Sequence, residues 1–500
     1  MHFFRRYATT TSTNIIERLK ARGMLSQVTS KNLARVTEER KITLYAGVDP
    51  SAVSLHVGNL AVLMTMLHFH LDGHTVIPLI GGATGQVGDP GGRSTERELL
   101  ETETVQNNAS SITNQVENFF KTATEHARIK DRSIGTSQPK ILNNLSWHSQ
   151  LSFLSFLRFP GKLLRVNVLL TRDSVQSRLG SNQGISFAEF TYQLLQAYDF
   201  WYLNRNHGVE LQIGGSDQWG NIISGVELIR KANAVEGKSL NEPVEIKNGI
   251  ADEVVDDVAY GLTIPLLTTS TGEKFGKSAG NAIWLDQRLT STFDFYQFFI
   301  RVSDADAPMY LRCLTLLSVE EIDNLMREHM ASPEKRLAQH ALATEVTQMI
   351  HGDAALQVAQ LASTVLYDTS SPLETALTSN PDSVGNLLEA LRDNPRLKRV
   401  SSDQAIGQYM TKVASSLGLV ASHGMANPLL SSLSVSESVH RIAKARTLLQ
   451  GGGLYLNNHR ITELDRKLNK SDFIGDKVAF LRAGKEMLVV ELLPSENSGD

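Results

Sequence analysis

Two short clusters carry residue types suited to handling phosphate: His56-Val57-Gly58-Asn59 and, more than two hundred residues later, Lys274-Phe275-Gly276-Lys277-Ser278. The first follows an Asp49-Pro50 turn and precedes an apolar run that reads as a helix. A helix start offers unpaired N–H groups to anions, and a glycine there lets a nucleotide approach the backbone. His56 and Asn59 can both donate hydrogen bonds to phosphoryl oxygens. By itself this cluster is weak, because a histidine ahead of an apolar helix is more often a cap or a packed residue.

The second cluster lies between Gly272 and Gly280, in a stretch with the composition of a movable loop. Two lysines three residues apart, with Gly276 for backbone freedom, suit a clamp on charge developing during phosphoryl chemistry. A solvated basic loop is the plainer alternative. The cluster is not a P-loop: that pattern needs glycine where Thr271 stands. Gly81-Gly82-Ala83-Thr84-Gly85 likewise lacks the Gly-x-Gly-x-x-Gly spacing of dinucleotide sites, which removes the main support for hydride transfer.

The elements that must position these clusters alternate. Residues 41–48 read as a strand, 57–71 as a helix ended by Gly73, and 75–80 as a second strand running into the glycine-rich stretch. Residues 209–213 form another strand, feeding Gly214-Gly215-Ser216-Asp217-Gln218 and then a helix through Arg230. This pattern predicts an α/β domain with a parallel sheet, whose ligands sit beyond the carboxyl ends of the strands. Each polar cluster falls at such an end.

From about Ser291 the pattern turns helical, with Pro333 placed to open a helix over 333–349 and Ser332 placed to cap it. Residues 368–427 are weakly periodic and rich in Ser, Asn and Gly, as in a connector with one or two short helices. Between Ser438 and Lys485 there are ten Lys/Arg against four Asp/Glu, the strongest local positive excess and the expected RNA footprint.

Five hundred residues imply two to four domains. The formal charge of −4 gives no overall pull toward nucleic acid or anionic membranes, so any RNA contact must be local. One cysteine, Cys313, rules out an internal disulfide framework and argues against a structural zinc site. The apolar runs are far shorter than the ~20 residues of a membrane span. Residues 1–16 contain Arg5 and Arg6, many Ser/Thr and no acid, the composition of an organelle-targeting segment. No internal repeat is visible.

Taken together, Tyr45-Ala46-Gly47-Val48-Asp49-Pro50-Ser51 through His56-Val57-Gly58-Asn59, and Lys274-Phe275-Gly276-Lys277-Ser278, closely resemble class I tyrosyl-tRNA synthetases of the bacterial and organellar type. Residues 81–92, the run Tyr192 to Phe200 and the run Gln212 to Asn221 match in order and spacing. The resemblance extends from about Lys41 to Leu493.

The resemblance implies a tyrosine pocket in which Tyr45 and Asp199 address the phenolic hydroxyl, while Asp89, Tyr192 and Gln196 hold the α-ammonium. Gln212 and Gln218 complete the tyrosine site, Gln218 near its carboxylate and the α-phosphate. Gly47, Asp49, His56, Gly58, Gly215, Asp217 and Lys277 are implied to surround ATP, with Asp217 on the ribose. Catalysis would fall to Ser51, His56, Asn59, Lys274, Lys277 and Ser278, which orient the reactants and neutralise the leaving pyrophosphate. ATP enters as a substrate with Mg²⁺, held mainly by phosphates and water, and no tightly bound protein metal site is expected.

Asn59 stands where the family's usual signature has a second histidine, and Val62 where threonine is common; residues 231–258 read as a surface insertion. The terminal segment, with Gly451-Gly452-Gly453-Leu454-Tyr455-Leu456-Asn457, resembles a small RNA-binding module of ribosomal proteins. Arg441, Lys444 and Arg446 would meet RNA phosphates from one helix.

The expected organisation is a targeting segment and flexible N-terminus over 1–30 and a Rossmann-like parallel-sheet catalytic domain over 31–290. A helical anticodon-binding domain over 291–367, a connector over 368–427 and a small α+β RNA-binding domain over 428–500 follow. The implied activity is ligation of tyrosine to tRNA(Tyr) by a homodimer in the mitochondrial matrix, without membrane association. Residues 163–179 are candidates for the subunit interface. A tryptophanyl-tRNA synthetase shares the fold and both signatures, and Tyr45 with Asp199 argues against it. A scaffold that binds RNA without catalysis is the rival of another class.

Overall fold

The computed structural model describes residues 14–91, 100–130, 138–181, 184–237, 257–273, 275–278, 281–367, 373, 377, 382–419, 435–484 and 486–494. Two compact units emerge: Met1–Thr290 with Phe298–Gly352, and Ser291–Gln297 with Asp353–Asp500.

The first unit is built on a six-stranded sheet. The short helix α1 (Ile15–Ala21) starts where the Asn14 side chain accepts from the Ile16 amide at 2.7 Å. Its Ile15, Ile16 and Leu19 are buried, and β1 (Gln27–Val28) follows. Residues 14–30 are therefore part of the fold rather than a flexible N-terminus, because one face of α1 is apolar enough to pack. Residues 1–13, which carry Arg5 and Arg6 of the expected targeting segment, lie outside the described residues.

Strand β2 (Thr43–Val48) leads through a 3-10 turn, Val57–Asn59, into helix α2 (Leu60–Leu71). Strand β3 (Thr75–Ile80), the long helix α3 (Thr102–Lys130) and the two-residue β4 (Leu142–Asn143) come next. Helix α4 (Phe187–His207) is capped by the Ser186 hydroxyl, which accepts from the Glu189 amide, and stops at the left-handed Gly208. Strand β5 (Val209–Gly215), helix α5 (Trp219–Val235) and β6 (Tyr260–Ile264) complete the layer.

The sheet order is β1-β6-β5-β2-β3-β4, with every pair parallel except β1 on β6. The chain leaves β2 toward β3 and returns on the other side of β2 as β5. The order thus reverses between β2 and β5, and in open α/β sheets the region beyond the carboxyl ends at such a reversal is where ligands bind. Tyr45, Ile77, Leu79, Phe200, Leu203 and Val209 pack together in one buried apolar cluster at these strands.

Further along, a small hairpin of β7 (Lys277–Ser278) and β8 (Asn281–Ala282) stands apart from the main sheet. Helix α6 (Ala307–Leu314) and the segment Leu337–Tyr367, interrupted at Gly352, follow. Pro333 opens only a 3-10 turn, Pro333–Lys335, and Ser332 makes no side-chain cap. The expected helix start moves to Leu337 because Arg336 is left-handed (φ 51) and its guanidinium donates to the carbonyl oxygens of Ile300 and Val302.

The second unit holds a five-stranded sheet in the order β11-β10-β12-β13-β9. Its members are β9 (Leu397–Ser401), β10 (Leu454–Leu456), β11 (His459–Arg460), β12 (Val478–Ala483) and β13 (Glu486–Leu493). Strand β9 lies inside the stretch read as a connector, yet pairs in parallel with β13 and buries Leu397 and Val400. Two apolar clusters pack this unit, one including Phe480 and Val489, the other Leu454, Leu481 and Val490. No helix among the described residues is long and apolar enough to cross a membrane.

Candidate active site

The two phosphate-handling clusters meet. Val57 donates its amide to the Ile283 carbonyl at 2.9 Å, Ile283 donates to Gly276 at 2.9 Å, and Leu285 donates to Leu55 at 2.8 Å. His56 and Trp284 form an isolated antiparallel bridge between these ties. Gly276 has φ 96, a conformation that L side chains rarely adopt.

Phe275, within the lysine cluster, is buried and packs its ring 4.1 Å from Tyr310 on α6 and 5.3 Å from Phe298. The second cluster is thus anchored on an aromatic residue. Lys274 lies outside the described residues, and only the backbones of Lys277 and Ser278 are described, as β7. Asn59 accepts from the His56 amide at 3.0 Å, so it acts locally as a cap. Gly58 sits in the 3-10 turn, Gly47 is exposed near the end of β2, and Ser51 is exposed in the turn after it.

A second group of polar side chains converges beyond β2, β3 and β5. Asp199 on α4 is buried, and its carboxylate accepts from three donors. Oδ1 takes Trp147 Nε1 at 2.8 Å and His148 Nε2 at 2.7 Å, while Oδ2 takes Asn144 Nδ2 at 2.9 Å. Hydrogen bonds to an ionised group contribute about 1.5–3 kcal/mol each, enough together to offset much of the cost of burying this charge.

Asn144 extends the network. It also donates to Thr84 Oγ1 at 3.0 Å and accepts from the Ala83 amide at 2.7 Å. Thr84 donates to Asp49 Oδ1, and Tyr192 donates to Asp49 Oδ2, both at 2.7 Å. Gly81 is required beside this array, since a Cβ there would lie 2.0 Å from Asp49 Oδ1.

Two further chains of contact finish the site. Gln218 donates to Asp89 Oδ2 at 2.6 Å, and the Gly91 amide donates to Asp89 Oδ1 at 2.9 Å. Asn221 donates to Gln218 Oε1 at 3.2 Å and to Gln196 Oε1 at 3.0 Å. Gly215 ends β5, and Asp217 is exposed in the following 3-10 turn.

On the sheet strands β2 and β5 themselves, the buried Tyr45 hydroxyl and Gln212 Oε1 are among the polar atoms without a hydrogen-bond partner. Burial, reinforced by the Asp199 charge, pushes the Tyr45 phenol well above its ordinary range. Burial and the charges of Asp49 and Asp89 do the same for Tyr192. Both phenols therefore stay protonated at neutral pH and can act as donors. A buried hydroxyl without a partner costs stability, so such an atom at the reversal of strand order and within the field of Asp199 points to a polar ligand group.

The structure places Tyr45 and Gln212 on β2 and β5, Asp49 and Asp217 just beyond those strands, and Tyr192, Gln196 and Asp199 on α4, with hydrogen bonds linking Tyr192 to Asp49 and Gln218 to Asp89. Asp89 accepts from Gln218, Tyr192 donates to Asp49, and Gln196 accepts from Asn221. Sequence reading overlooked Thr84, Asn144, Trp147, His148 and Asn221. The polar Asn143-Asn144 pair after an apolar Ile141-Leu142 was the available signal, but β4 is too short to register as a strand. No group of three or more His, Cys, Asp or Glu among the described residues could hold a metal ion.

On the second unit, Arg441, Lys444 and Arg446 share helix α7 (Val435–Gln450), but Arg441 is buried, Lys444 half-buried and Arg446 exposed. Only the last two face solvent substantially. Arg482 stacks over the Tyr455 ring at 3.8 Å.

A parallel sheet with its site at the reversal of strand order, and two phosphate signatures tied together there, defines a nucleotide-dependent enzyme of the class I synthetase type. Residues 37–368 match the family described as tRNA synthetases class I (W and Y). The mitochondrial tyrosine–tRNA ligase of Saccharomyces cerevisiae is 37% identical over 484 residues, covering 95% of this chain and 88% of the yeast protein. The tyrosine–tRNA ligase of Roseiflexus castenholzii is 39% identical over 474 residues, 95% of this chain and 98% of its own. Among solved structures, a C-terminally truncated mitochondrial tyrosyl-tRNA synthetase from Aspergillus nidulans aligns with a TM-score of 0.61 at 36% identity, over 70% of this chain and 93% of that one. The chain belongs to the tyrosine–tRNA ligases of class I.

Proposed function

We propose that the chain activates L-tyrosine with ATP and transfers it to the 3′ end of tRNA(Tyr) for translation in the mitochondrial matrix. The observation that carries the choice of amino acid is the buried Tyr45 hydroxyl, without a hydrogen-bond partner and within the field of the Asp199 carboxylate. A phenolic hydroxyl placed between them accepts from one and donates to the other. Phenylalanine offers neither interaction and leaves the buried Tyr45 hydroxyl unpaired.

In the reaction, the tyrosine carboxylate attacks the α-phosphorus in line, the bond to the bridging oxygen breaks, and pyrophosphate leaves. The enzyme forms no covalent intermediate. Asp89, Tyr192 and Gln196 serve the α-ammonium, and Gln218 and Gln212 line the rest of the amino acid. Gly47, Asp49, Gly58, Gly215 and Asp217 border the nucleotide. Ser51, His56, Asn59, Lys274, Lys277 and Ser278 stabilise the departing pyrophosphate, a charge that develops only in the transition state. Mg²⁺ enters with ATP, held by phosphates and water.

A homodimer suits the apolar side chains left on the surface of the first unit, where Phe153, Leu154, Val166 and Phe187 are all more than half exposed. Lys444 and Arg446 are the expected phosphate contacts of the terminal helix. Mitochondrial relatives and the acid-free, arginine-containing residues 1–13 support import.

The test is aminoacylation of a mixed mitochondrial tRNA pool with labelled tyrosine, followed by identification of the charged species. Label confined to tRNA(Tyr) supports the reading, and charging only with tryptophan overturns it.

A further inference from the structure

Among the donors around Asp199, His148 stands out because it comes last in a run of five residues that supplies all three. Asn144, Trp147 and His148 lie on or immediately before the one-turn helix Leu145–His148, so a single local structure grips the carboxylate. His148 is itself almost buried, its side chain 7% exposed, with its ring 5.4 Å from that of Tyr198.

We infer that His148 is a positioning residue that selects which oxygen of Asp199 receives the substrate hydroxyl, an inference that rests on reading Asp199 as the acceptor for tyrosine. An ionised carboxylate offers about four acceptor directions, two on each oxygen. Trp147 and His148 occupy both directions on Oδ1, and Asn144 occupies one on Oδ2. The direction left for a substrate hydroxyl is on Oδ2, the oxygen tied through Asn144 to Thr84 and on to Asp49.

With the carboxylate accepting from every neighbour, the proton of His148 resides on Nε2. Removing that donor opens a second direction on Oδ1 and loosens the rotation of the carboxylate about its own bond. A substrate bound through its hydroxyl then loses a defined partner, whereas phenylalanine loses nothing. His148 therefore governs discrimination between the two amino acids more than it governs the chemical step.

The experiment is steady-state pyrophosphate exchange on the full chain with tyrosine and with phenylalanine, comparing the unaltered chain, His148→Leu and His148→Gln. The glutamine amide can reproduce the Nε2 donor. His148→Leu is expected to raise the tyrosine KM about tenfold, the size of a lost hydrogen bond to a charged group, and to lower the tyrosine-to-phenylalanine ratio of kcat/KM by a similar factor. kcat with tyrosine and KM for ATP stay within about threefold. His148→Gln restores the ratio. If His148→Leu does not fold, His148→Asn, whose amide is one methylene short, takes its place against His148→Gln.

A ratio unchanged by loss of the donor, or a glutamine variant as impaired as the leucine or asparagine one, would overturn the inference alone. Absence of tyrosine-dependent exchange in the unaltered chain would overturn the reading of the site and the inference with it.

Discussion

Gly276 packs so closely on Gly58 that a methyl group added at Gly276 would sit 3.0 Å from the Gly58 amide nitrogen and 2.8 Å from Val57 Cγ2. Two signatures far apart in the chain share one backbone contact, and its geometry belongs to glycine. Gly276→Ala adds that methyl and strains a left-handed backbone. The lysine cluster must then shift relative to the helix start. We expect kcat for tyrosine-dependent pyrophosphate exchange to fall about a hundredfold, as for other small misplacements of catalytic groups, with tyrosine KM nearly unchanged. Parallel losses in kcat and in tyrosine binding would contradict this.

Tyr45→Phe separates recognition from stability. The hydroxyl has no partner in the unliganded chain, so its removal is expected to leave the melting temperature unchanged or slightly raised. Tyrosine KM should rise about tenfold, as when one hydrogen bond is lost. A large fall in melting temperature would mean that the hydroxyl serves the fold.

Asn144→Ala should behave in the opposite way. Asn144 is fully buried and bonded to Asp199, Thr84 and the Ala83 amide, so truncation leaves several polar groups without partners. Urea unfolding is expected to show a loss of about 2–4 kcal/mol. A loss below about 0.5 kcal/mol, the level of an ordinary surface substitution, would contradict the network.

Stability should fall in mild acid because of His351. Burial is the main cause that lowers its pKa to about 4, against an ordinary value of 6.5, with Asp286 opposing the shift. Between those values the unfolded chain binds the additional proton, so this contribution is complete above pH 6.5 and is lost as pH falls toward 4. The full loss is on the order of 3 kcal/mol. Urea midpoints for the unaltered chain and His351→Asn should diverge across this range; identical pH dependence would contradict the assignment.

The place of the candidate site was legible because the apolar runs of β2 and β5 are long enough to recognise and polar clusters follow them. Tyr45, Asp49, Gln212 and Asp217 lie within or just beyond those strands, but their roles came from the family resemblance and not from the pattern. His148 and Asn144 were hidden because β4 has only two residues and their neighbours carry no periodic pattern. The start at Leu337 was misplaced because it depends on Arg336 reaching the carbonyls of Ile300 and Val302, a contact between distant segments. Strand β9 escaped notice because its alternation is brief and its partner β13 lies about ninety residues on. The packing of α1 is not legible locally, because the burial of Ile15, Ile16 and Leu19 depends on the rest of the fold.

Pyrophosphate exchange by the unaltered chain, measured in parallel with tyrosine, tryptophan and phenylalanine, tests the central claim most directly. The proposed recognition of the substrate hydroxyl by Tyr45 and Asp199 predicts rapid exchange with tyrosine and little with either of the others. Exchange driven by tryptophan, or none with tyrosine, would contradict it.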